Sequence, residues 1–356
     1  MLAKKFLDLL SSYYNISEYP TLHSQMNNWL ITKPLSGMRI LDSTPVFRNT
    51  LLKYTALLAG GADLEIGISD YISRDNAIID FLENNGVKIL HPHQATESYD
   101  IVMDCGAVFS ATKSRYGYVE LTRSGVPKYE QLGVKVFAAD SGKIKKIETV
   151  LGTGEGYFRA MTQLGYTDWA GKRLTIFGSG KVGSGIILQA HHLGAEIAVV
   201  TDPATLSNNY RAMCNHVVNY RNKSEVIDIL AKSDAVVTAT GRSAIIEQYV
   251  DGRFFLERNI LLANMGVEDE FGSSIADNMV LNNKYALNFM LEEPTHLKYI
   301  DATMALHNCG AVWLLEHPEC SGVILPPAEL EQELLDTTCR DGEIGSDIKE
   351  ILDNNI

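Results

Sequence analysis

A glycine loop between a strand and a helix, in the middle of the chain, constrains the fold more than any other feature. Residues 172–177 have the pattern of a strand, and the run Gly178-Ser-Gly180-Lys-Val-Gly183 follows them directly. An apolar helical segment comes next, and a second apolar strand, residues 197–201, leads into Asp202. This order of strand, glycine turn, helix, strand and acid is the βαβ pattern that binds dinucleotides.

Each glycine of this pattern has a physical role. Gly178 permits the tight turn, Gly180 lets the backbone approach a pyrophosphate, and Gly183 allows the helix to pack closely on the strand. The N-terminus of the helix presents N–H groups and the positive end of its dipole to phosphates. We therefore predict that the loop contacts a dinucleotide through Gly178, Ser179, Gly180, Lys181, Val182 and Gly183.

The acid after the second strand indicates which dinucleotide binds. Asp202 lies about 20 residues after the loop, where a carboxylate accepts a hydrogen bond from a ribose 2′-hydroxyl. The same charge would repel a 2′-phosphate, so the sequence favours NAD over NADP. A glycine loop alone is a weak signal, and the alternative is a doubly wound domain whose loop is only a tight turn.

Composition narrows the range of partners. The chain has 356 residues, with 46% hydrophobic and 21% charged residues, which suffices for two globular domains. The net charge of −13 argues against nucleic acid and anionic membranes, because both require a basic surface. No apolar stretch approaches the ~20 residues of a membrane span, and the N-terminus lacks the features of a signal peptide. We predict a small-molecule substrate and neither a nucleic-acid nor a membrane partner.

The cysteines and histidines give no sign of a metal site. Five cysteines are scattered along the chain without a Cys-x-x-Cys pair, which favours reduced thiols in the cytoplasm. His191 and His192 are adjacent on the helix after the loop, where their side chains point about 100° apart. We therefore predict no metal and a cytoplasmic protein.

Alternating strands and helices precede the nucleotide unit. The strands are predicted at residues 38–41, 63–67, 87–90 and 101–103, with helices at 50–58 and 75–84. This alternation predicts a parallel sheet with right-handed crossovers. Because the region lacks a glycine loop of the dinucleotide type, it is the predicted substrate domain.

The second domain is predicted to begin with a helix near Gly154 and to contain the glycine loop. Its later strands, residues 235–238 and 260–263, run into small polar turns. Ligands of open parallel sheets lie outside the carboxyl ends of the strands, although Thr, Gly and Asn also favour turns in their own right. We predict further cofactor contacts at Thr238, Ala239, Thr240, Gly241, Asn264, Met265 and Gly266.

The fold class predicted from these patterns is α/β, with two doubly wound domains. A helical pattern around residues 304–315 is expected to return to the first domain. The substrate domain would then comprise residues 1–150 and 297–356, and residues 151–296 would form a Rossmann domain that binds NAD.

The order of motifs resembles the S-adenosylhomocysteine hydrolase family along almost the whole chain. The matching segments are residues 33–40, Gly61-Ala-Asp63, residues 73–77, Gly152-Thr-Gly-Glu155, residues 170–172, Thr238-Ala-Thr-Gly241, Asn264-Met-Gly266, Met304-Ala-Leu-His307 and residues 322–327. The resemblance implies a retained NAD and a homo-oligomer. In that family NAD oxidises a nucleoside 3′-hydroxyl, a base removes the neighbouring proton, the thioether leaves and water adds before the ketone is reduced.

Several positions that transfer protons in the family differ in this chain. The position of the catalytic lysine is Ile144, and one family histidine is replaced by Val267. A second histidine is absent from residues 44–47, and the family's C-terminal tail with its lysine and tyrosine is not found. Cofactor positions are retained, among them Thr122, so the resemblance implies an intact NAD site beside an altered substrate site.

The remaining catalytic candidates are one histidine, the lysines of residues 143–146 and three carboxylates. His307 is matched to a histidine of the family's Met-Gly-His-Pro motif, although helical histidines are often core residues. Lys143, Lys145 or Lys146 could replace the lost lysine from a shifted register, and the alternative is a solvated basic loop. The carboxylates expected to orient substrate hydroxyls are Glu120, Asp104 and Glu148.

The leading functional hypothesis is an NAD-dependent enzyme that transfers a hydride at a hydroxyl or ketone of a small substrate, nucleosides included. Hydride transfer needs only one base for the alcohol proton. One alternative is S-adenosylhomocysteine hydrolysis with rearranged acid–base residues. Another is an NAD-binding subunit without turnover. Amino-acid and 2-hydroxyacid dehydrogenases share the two-domain plan, and fold does not fix function.

Overall fold

The computed structural model describes residues 2–70 and 72–353. The chain forms two compact units. Unit 1 comprises the residues up to Lys146 together with His296–Ser346, and unit 2 comprises Ile147–Thr295 and the segment that starts at Asp347. The sequence placed all of residues 297–356 in the first domain, whereas the structure groups the segment from Asp347 with unit 2.

Twelve strands and fourteen α-helices make up the two units within the described residues. The strands are β1 (Arg39–Asp42), β2 (Asp63–Gly67), β3 (Ile89–Leu90), β4 (Tyr99–Asp104), β5 (Ser114–Glu120), β6 (Val136–Ala138), β7 (Arg173–Phe177), β8 (Glu196–Thr201), β9 (His216–Asn219), β10 (Ala235–Thr238), β11 (Leu261–Asn264) and β12 (Val323–Ile324). The helices are α1 (Leu2–Leu10), α2 (Pro20–Thr32), α3 (Thr50–Ala59), α4 (Asn76–Asn84), α5 (Val126–Leu132), α6 (Lys143–Ile147), α7 (Gly154–Gln163), α8 (Lys181–His192), α9 (Asn208–Met213), α10 (Lys223–Leu230), α11 (Gly252–Leu256), α12 (Leu297–Glu316), α13 (Ala328–Asp341) and α14 (Gly345–Asp353).

Both sheets are parallel, and their strand orders are related. The seven strands of unit 1 are ordered β12-β6-β5-β4-β1-β2-β3, and the five strands of unit 2 are ordered β11-β10-β7-β8-β9. In each sheet the order reverses beside the first strand, between β1 and β4 in unit 1 and between β7 and β10 in unit 2. Ligands of doubly wound sheets bind at the carboxyl ends of the strands at such a reversal.

Each sheet has its own apolar core. In unit 2, Phe177, Val200, Val236 and Leu262 come from four different strands and pack in one buried cluster. In unit 1, a corresponding cluster includes side chains of β1, β4, β5 and β6. Strand β10 is buried along its whole length, as expected for a parallel sheet that is covered on both faces.

The predicted fold class is confirmed: two parallel sheets with interleaved helices form an α/β protein of the Rossmann type. The predicted strands and helices around the glycine loop lie where the sequence placed them. Helix α12 belongs to unit 1, where its Asp301 accepts hydrogen bonds from the backbone N–H groups of Thr21 and Leu22, at 2.8 and 2.9 Å. These two residues lie in the first turn of α2, so Asp301 caps that helix from a distant part of the chain.

Within residues 2–70 and 72–353, no helix combines the length and the apolar character needed to cross a membrane.

Candidate cofactor site

An open cavity of about 390 Å³ lies at the carboxyl ends of β7, β8 and β10 in unit 2. This is the reversal of strand order in the sheet, so the cavity has the position of a Rossmann cofactor site. Of the predicted contacts, Gly178, Ser179, Gly180, Asp202, Ala239 and Thr240 line it. Residues that were not predicted from the sequence line it as well, namely Thr201, Thr205, Tyr220, Arg242 and Ile245.

The glycine loop fits a dinucleotide in its steric detail. Gly178 has a φ of +96°, and a Cβ atom there would come within 2.5 Å of the Ala239 carbonyl oxygen. A Cβ atom on Gly183 would lie 2.1 Å from the carbonyl oxygen of Gly178. Around Gly180, in contrast, the described protein has no atom within 4 Å of the missing Cβ, so the space is open. The first turn of α8, whose N–H groups lack intrahelical acceptors, begins directly after this open position.

Close backbone packing also explains the Gly152-Thr-Gly-Glu155 motif. A Cβ atom on Gly154 would come within 2.4 Å of the backbone of Gly185, and one on Gly185 would lie 2.2 Å from the carbonyl oxygen of Val150. Helix α8 therefore packs with backbone contact against the π-helical turn Glu148–Thr153. This packing fixes the helix whose N-terminus faces the cofactor cavity.

Asp202, the predicted ribose contact, lines the cavity. Its Oδ1 accepts a hydrogen bond from the backbone N–H of Ala204 at 3.1 Å. The described part of the chain offers no hydrogen-bond donor to Oδ2, so this oxygen can accept from a ligand. Nearby, the hydroxyls of Ser179 and Thr201 share a hydrogen bond of 2.7 Å, which ties the glycine loop to the end of β8.

A carboxylate that the sequence analysis missed holds the turn after β10. Glu270 is fully buried and accepts hydrogen bonds from the backbone N–H groups of Thr240 and Gly241, at 2.9 and 2.7 Å. The Thr240 hydroxyl donates to it at 2.7 Å. Burial raises the pKa of Glu270, and these hydrogen bonds oppose the rise. No local sequence signal marks Glu270, because its partners lie far from it in the chain.

Two of the predicted contacts at the ends of β10 and β11, Thr238 and Asn264, form side-chain hydrogen bonds with other residues of unit 2. The Thr238 hydroxyl donates to Asn264 Oδ1 at 3.0 Å, and both side chains are fully buried. Asn264 Nδ2 donates to the carbonyl oxygens of Glu268 and Lys284 at 2.7 and 2.6 Å. These side chains join two strand ends rather than line the cavity. Cofactor contacts at Asn264, Met265 and Gly266 stay predictions.

The carbonyl of Lys284 belongs to an unusual left-handed turn. Asn282, Asn283 and Lys284 have φ values of 57°, 49° and 70°. The Lys284 ammonium is buried, donates to the Gly272 carbonyl oxygen at 2.8 Å and pairs with Asp269 at 3.0 Å and Asp277 at 3.1 Å. These contacts hold a backbone conformation that costs free energy in non-glycine residues.

In unit 1, Asp104 and Glu120 are committed to the turn after β4. Asp104 accepts hydrogen bonds from the Ser43 and Tyr129 hydroxyls, at 2.6 and 2.5 Å, and from two backbone N–H groups. Glu120 accepts from the backbone N–H groups of residues 106 and 107 and from the N–H and hydroxyl of Thr122. Both carboxylates are fully buried, and burial raises the pKa of each. Their predicted role with substrate hydroxyls, and the cofactor contact at Thr122, stay predictions.

His307 lies inside unit 1 and is fully buried. Its Nε2 donates to the Val119 carbonyl oxygen at 3.0 Å, and its Nδ1 has no hydrogen-bond partner among the described residues. Burial lowers the pKa of His307 to about 3, with the positive charges of Lys53 and Lys145 contributing. The ring is therefore neutral near pH 7, and its burial favours a packing role.

A buried ion pair lies close to His307. Lys53 on α3 donates to Asp42 at the end of β1, and both side chains are fully buried. Burial lowers the pKa of Lys53, and the negative charge of Asp42 opposes this change. The carboxyl edge of the unit 1 sheet thus contains charged groups that neutralise one another inside the protein.

The predicted lysines lie on α6, and a distant carboxylate caps that helix. Glu331 on α13 accepts a hydrogen bond from the backbone N–H of Ile144 at 3.1 Å. Lys143 is exposed beside acidic residues of α13, whereas Lys145 is half-buried. Burial raises the pKa of the Cys105 thiol, and the Lys145 ammonium partly opposes that rise. The charge of Lys145 therefore acts at the carboxyl end of β4.

The other two α6-region candidates, Lys146 and Glu148, are placed differently. Lys146 is half-buried, and Glu148 is buried at the start of the π-helical turn. Their catalytic roles stay predictions. Within the described ranges, no group of histidine, cysteine and acidic side chains could hold a metal ion.

Comparison with known proteins places this geometry in context. No family model matches the chain. An adenosylhomocysteinase of Thermoplasma volcanium is 24% identical over 277 residues, which cover 69% of this chain and 66% of that protein. The adenosylhomocysteinase of Thermoplasma acidophilum is 23% identical over 290 residues, covering 73% and 68%. The similarity thus spans about two thirds of the length of these relatives.

A solved structure with a similar fold is that of a dipicolinate synthase subunit from Bacillus halodurans. It has a TM-score of 0.52 and 12% sequence identity, and the alignment covers 78% of this chain and 99% of that one. At this identity the likeness concerns the fold alone.

Proposed function

We propose that this divergent homologue of the adenosylhomocysteinases is an NAD-dependent enzyme that transfers a hydride at a hydroxyl or ketone of a small substrate. When bound, NAD supplies the hydride acceptor, and NADH supplies the donor. The chain's own residues bind the dinucleotide, orient it and move one proton at the substrate oxygen.

The cavity at the strand reversal of unit 2 carries this proposal. It combines the open space at Gly180, the first turn of α8 and the available Oδ2 of Asp202. The first two suit a pyrophosphate, and the third suits a ribose with a free 2′-hydroxyl. A 2′-phosphate would meet the negative charge of Asp202, which supports NAD rather than NADP.

Unit 1 is the proposed substrate domain. Its sheet has the same type of strand reversal, between β1 and β4, and polar side chains follow both strands. Lys145, half-buried on α6, is the proposed group that in its neutral amine form takes the alcohol proton. Lys143 and Lys146 remain alternatives on the same short helix.

The first experiment is to denature the purified protein and assay the extract for NAD and NADH. The folded protein is then given panels of nucleosides, sugars and hydroxy acids while absorbance at 340 nm is followed. Bound or added NAD with substrate-dependent NADH formation would support the proposal. NAD binding without any absorbance change across the panels would count against hydride transfer, and absence of NAD binding would overturn the cofactor site as well.

A protein that binds NAD without turnover is the second candidate. Three of the catalytic candidates, Asp104, Glu120 and His307, are fully buried, and each forms hydrogen bonds within unit 1. This arrangement favours structural roles for them. Hydrolysis is tested separately by adding S-adenosylhomocysteine and measuring free thiol. Released homocysteine would restore the hydrolase reaction of the relatives, and its absence leaves redox chemistry or binding alone.

Homo-oligomeric assembly is a further part of the proposal, suggested by the resemblance. Light scattering of the purified protein across a range of concentrations tests it directly. A monomer at every concentration would contradict this part and leave the cofactor proposal unaffected.

A further inference from the structure

The Glu270 carboxylate accepts several hydrogen bonds from the turn after β10, which borders the cofactor cavity. It lies 30 residues beyond Thr240 in the chain and accepts the Thr240 N–H at 2.9 Å on both of its oxygens. The Thr240 hydroxyl and the Gly241 N–H donate to the same carboxylate. Thr240 lines the cavity, whereas Glu270 is fully buried behind it.

The contacts continue from Thr240 to Arg242. The backbone N–H of Arg242 donates to the Thr240 hydroxyl oxygen at 3.1 Å. Because that hydroxyl gives its own proton to Glu270, one acceptor orients the whole turn. Arg242 lines the cavity, and its guanidinium carbon lies 5.7 Å from the centre of the Tyr220 ring.

The neighbouring backbone makes room for this carboxylate. A Cβ atom on Gly266 would lie 2.2 Å from Glu270 Oε1. The backbone N–H of Ile246 donates to the Glu270 carbonyl oxygen at 3.1 Å, and that of Ala244 donates to the Asp269 carbonyl oxygen at 2.8 Å. These two backbone hydrogen bonds hold the segment after Arg242 against Asp269 and Glu270.

The cavity wall that this turn controls suits an adenine ring. Tyr220 and Arg242 share the cavity with Asp202, the residue placed to bind the adenosine ribose. An aromatic ring and a guanidinium group both stack favourably on a purine. Displacement of the turn would move Arg242, whose backbone N–H is bound to the Thr240 hydroxyl.

We infer that Glu270 is a positioning residue for the adenosine half of the cofactor, acting through Thr240 on Arg242. The inference rests on the proposed NAD site, and it concerns which residues of this chain hold the adenine nucleotide. Without the carboxylate, three donors of the turn would lose their acceptor inside the protein, and the turn would rearrange.

The test measures AMP and NAD binding by calorimetry, with no turnover required. The variants are Glu270→Gln, Arg242→Ala and the double variant, and Glu268→Gln is the matched control on an exposed neighbour. We expect each single variant to weaken AMP and NAD binding by about tenfold. The affinity of the double variant should equal that of the single variant with the larger loss, because both changes break the same connection. The control should bind as the wild type does.

Two outcomes would overturn the inference. Equal binding by Glu270→Gln and wild type would remove the role of Glu270, and multiplicative losses in the double variant would show that the two residues act independently. If Glu270→Gln does not fold, Thr240→Val breaks the same connection at the hydroxyl, and its coupling to Arg242→Ala is measured instead. Failure of the wild type to bind NAD would be a failure of the proposed function, which this design distinguishes.

Discussion

Gly180 and Gly183 lie in the same loop but lack a side chain for different reasons. A methyl group on Gly183 would overlap the carbonyl of Gly178, whereas one on Gly180 would extend into open space. We expect Gly183→Ala to destabilise the fold by several kcal/mol, because backbone must move. Gly180→Ala should keep wild-type stability and weaken NAD binding at least tenfold, because the pyrophosphate approaches there.

Urea unfolding and NAD titration of both variants check this contrast, and each serves as the control for the other. Equal loss of stability in the two variants would contradict the steric account. Unchanged NAD affinity in Gly180→Ala would place the pyrophosphate elsewhere.

Asp202 is expected to set the choice of dinucleotide. Its unshared Oδ2 provides a charged acceptor for a ribose hydroxyl, so Asp202→Asn should weaken NAD binding by about ten- to a hundredfold. The same change should improve the relative affinity for NADP, since the repulsive charge is removed. Titrations with both dinucleotides measure this, with Asp228→Asn on the exposed face of α10 as control. An unchanged ratio of the two affinities would argue against a ribose contact.

At the level of residues, the sequence predicted local features and missed distant ones. The sequence predicted Gly178, Gly180 and Asp202 because the pattern depends on spacing along the chain, and the structure places all three at the cavity. Glu270 was missed because a buried carboxylate that accepts hydrogen bonds from a turn 30 residues away leaves no local pattern. The hydrogen bonds that Asp104 and Glu120 accept from the turn after β4 were not predicted either, and their role with substrate hydroxyls stays a prediction.

Helix α2 depends on a cap supplied by α12. Asp301 is fully buried, and burial raises its pKa to about 6, above the value of about 3.9 in an unfolded chain. The folded state thus binds this proton more tightly, and the free energy of unfolding falls as pH rises from about 4 to about 6. The expected contribution of this group is about 3 kcal/mol across that interval.

Asp301→Asn removes the titrating group and should remove this pH dependence. Urea unfolding of wild type and variant at pH 4.5 and pH 7 gives the free energy of unfolding of each protein. In the difference between the two proteins at each pH, the contributions of the other titrating groups cancel. We expect the stability of the wild type relative to the variant to decrease toward pH 7. Parallel pH profiles would show that Asp301 does not titrate as described.

At the level of elements, burial patterns decided which strands could be predicted. Strands β2 and β10 are apolar or alternate clearly, and the predicted ranges match them. Strand β5 was missed because Ser114, Arg115 and Gly117 interrupt its first half, although its second half is buried. Strand β9 was missed because it is a short edge strand that begins with an exposed His216.

For the whole molecule, NAD is expected to stabilise the two units to different degrees. A ligand at a hundredfold excess over its Kd adds about 2.7 kcal/mol to the stability of the state that binds it. Because the cavity lies in unit 2, amide hydrogen exchange should slow there first, around the glycine loop and Thr240. Exchange in β1 and β4 of unit 1 is the internal control. Equal slowing in both units would show that NAD binding couples them.

The burial of Cys105 makes the rate of its chemical modification a measure of local opening in unit 1. Its thiol is buried at the end of β4, and burial raises its pKa, so little thiolate forms and reagents cannot reach it. An alkylating reagent can therefore modify Cys105 only when this edge of unit 1 opens. The rate of its modification, followed by mass spectrometry, measures how often the sheet edge becomes accessible. A substrate that binds to unit 1 would lower the rate of Cys105 alkylation. Candidate substrates can therefore be screened before any reaction is known.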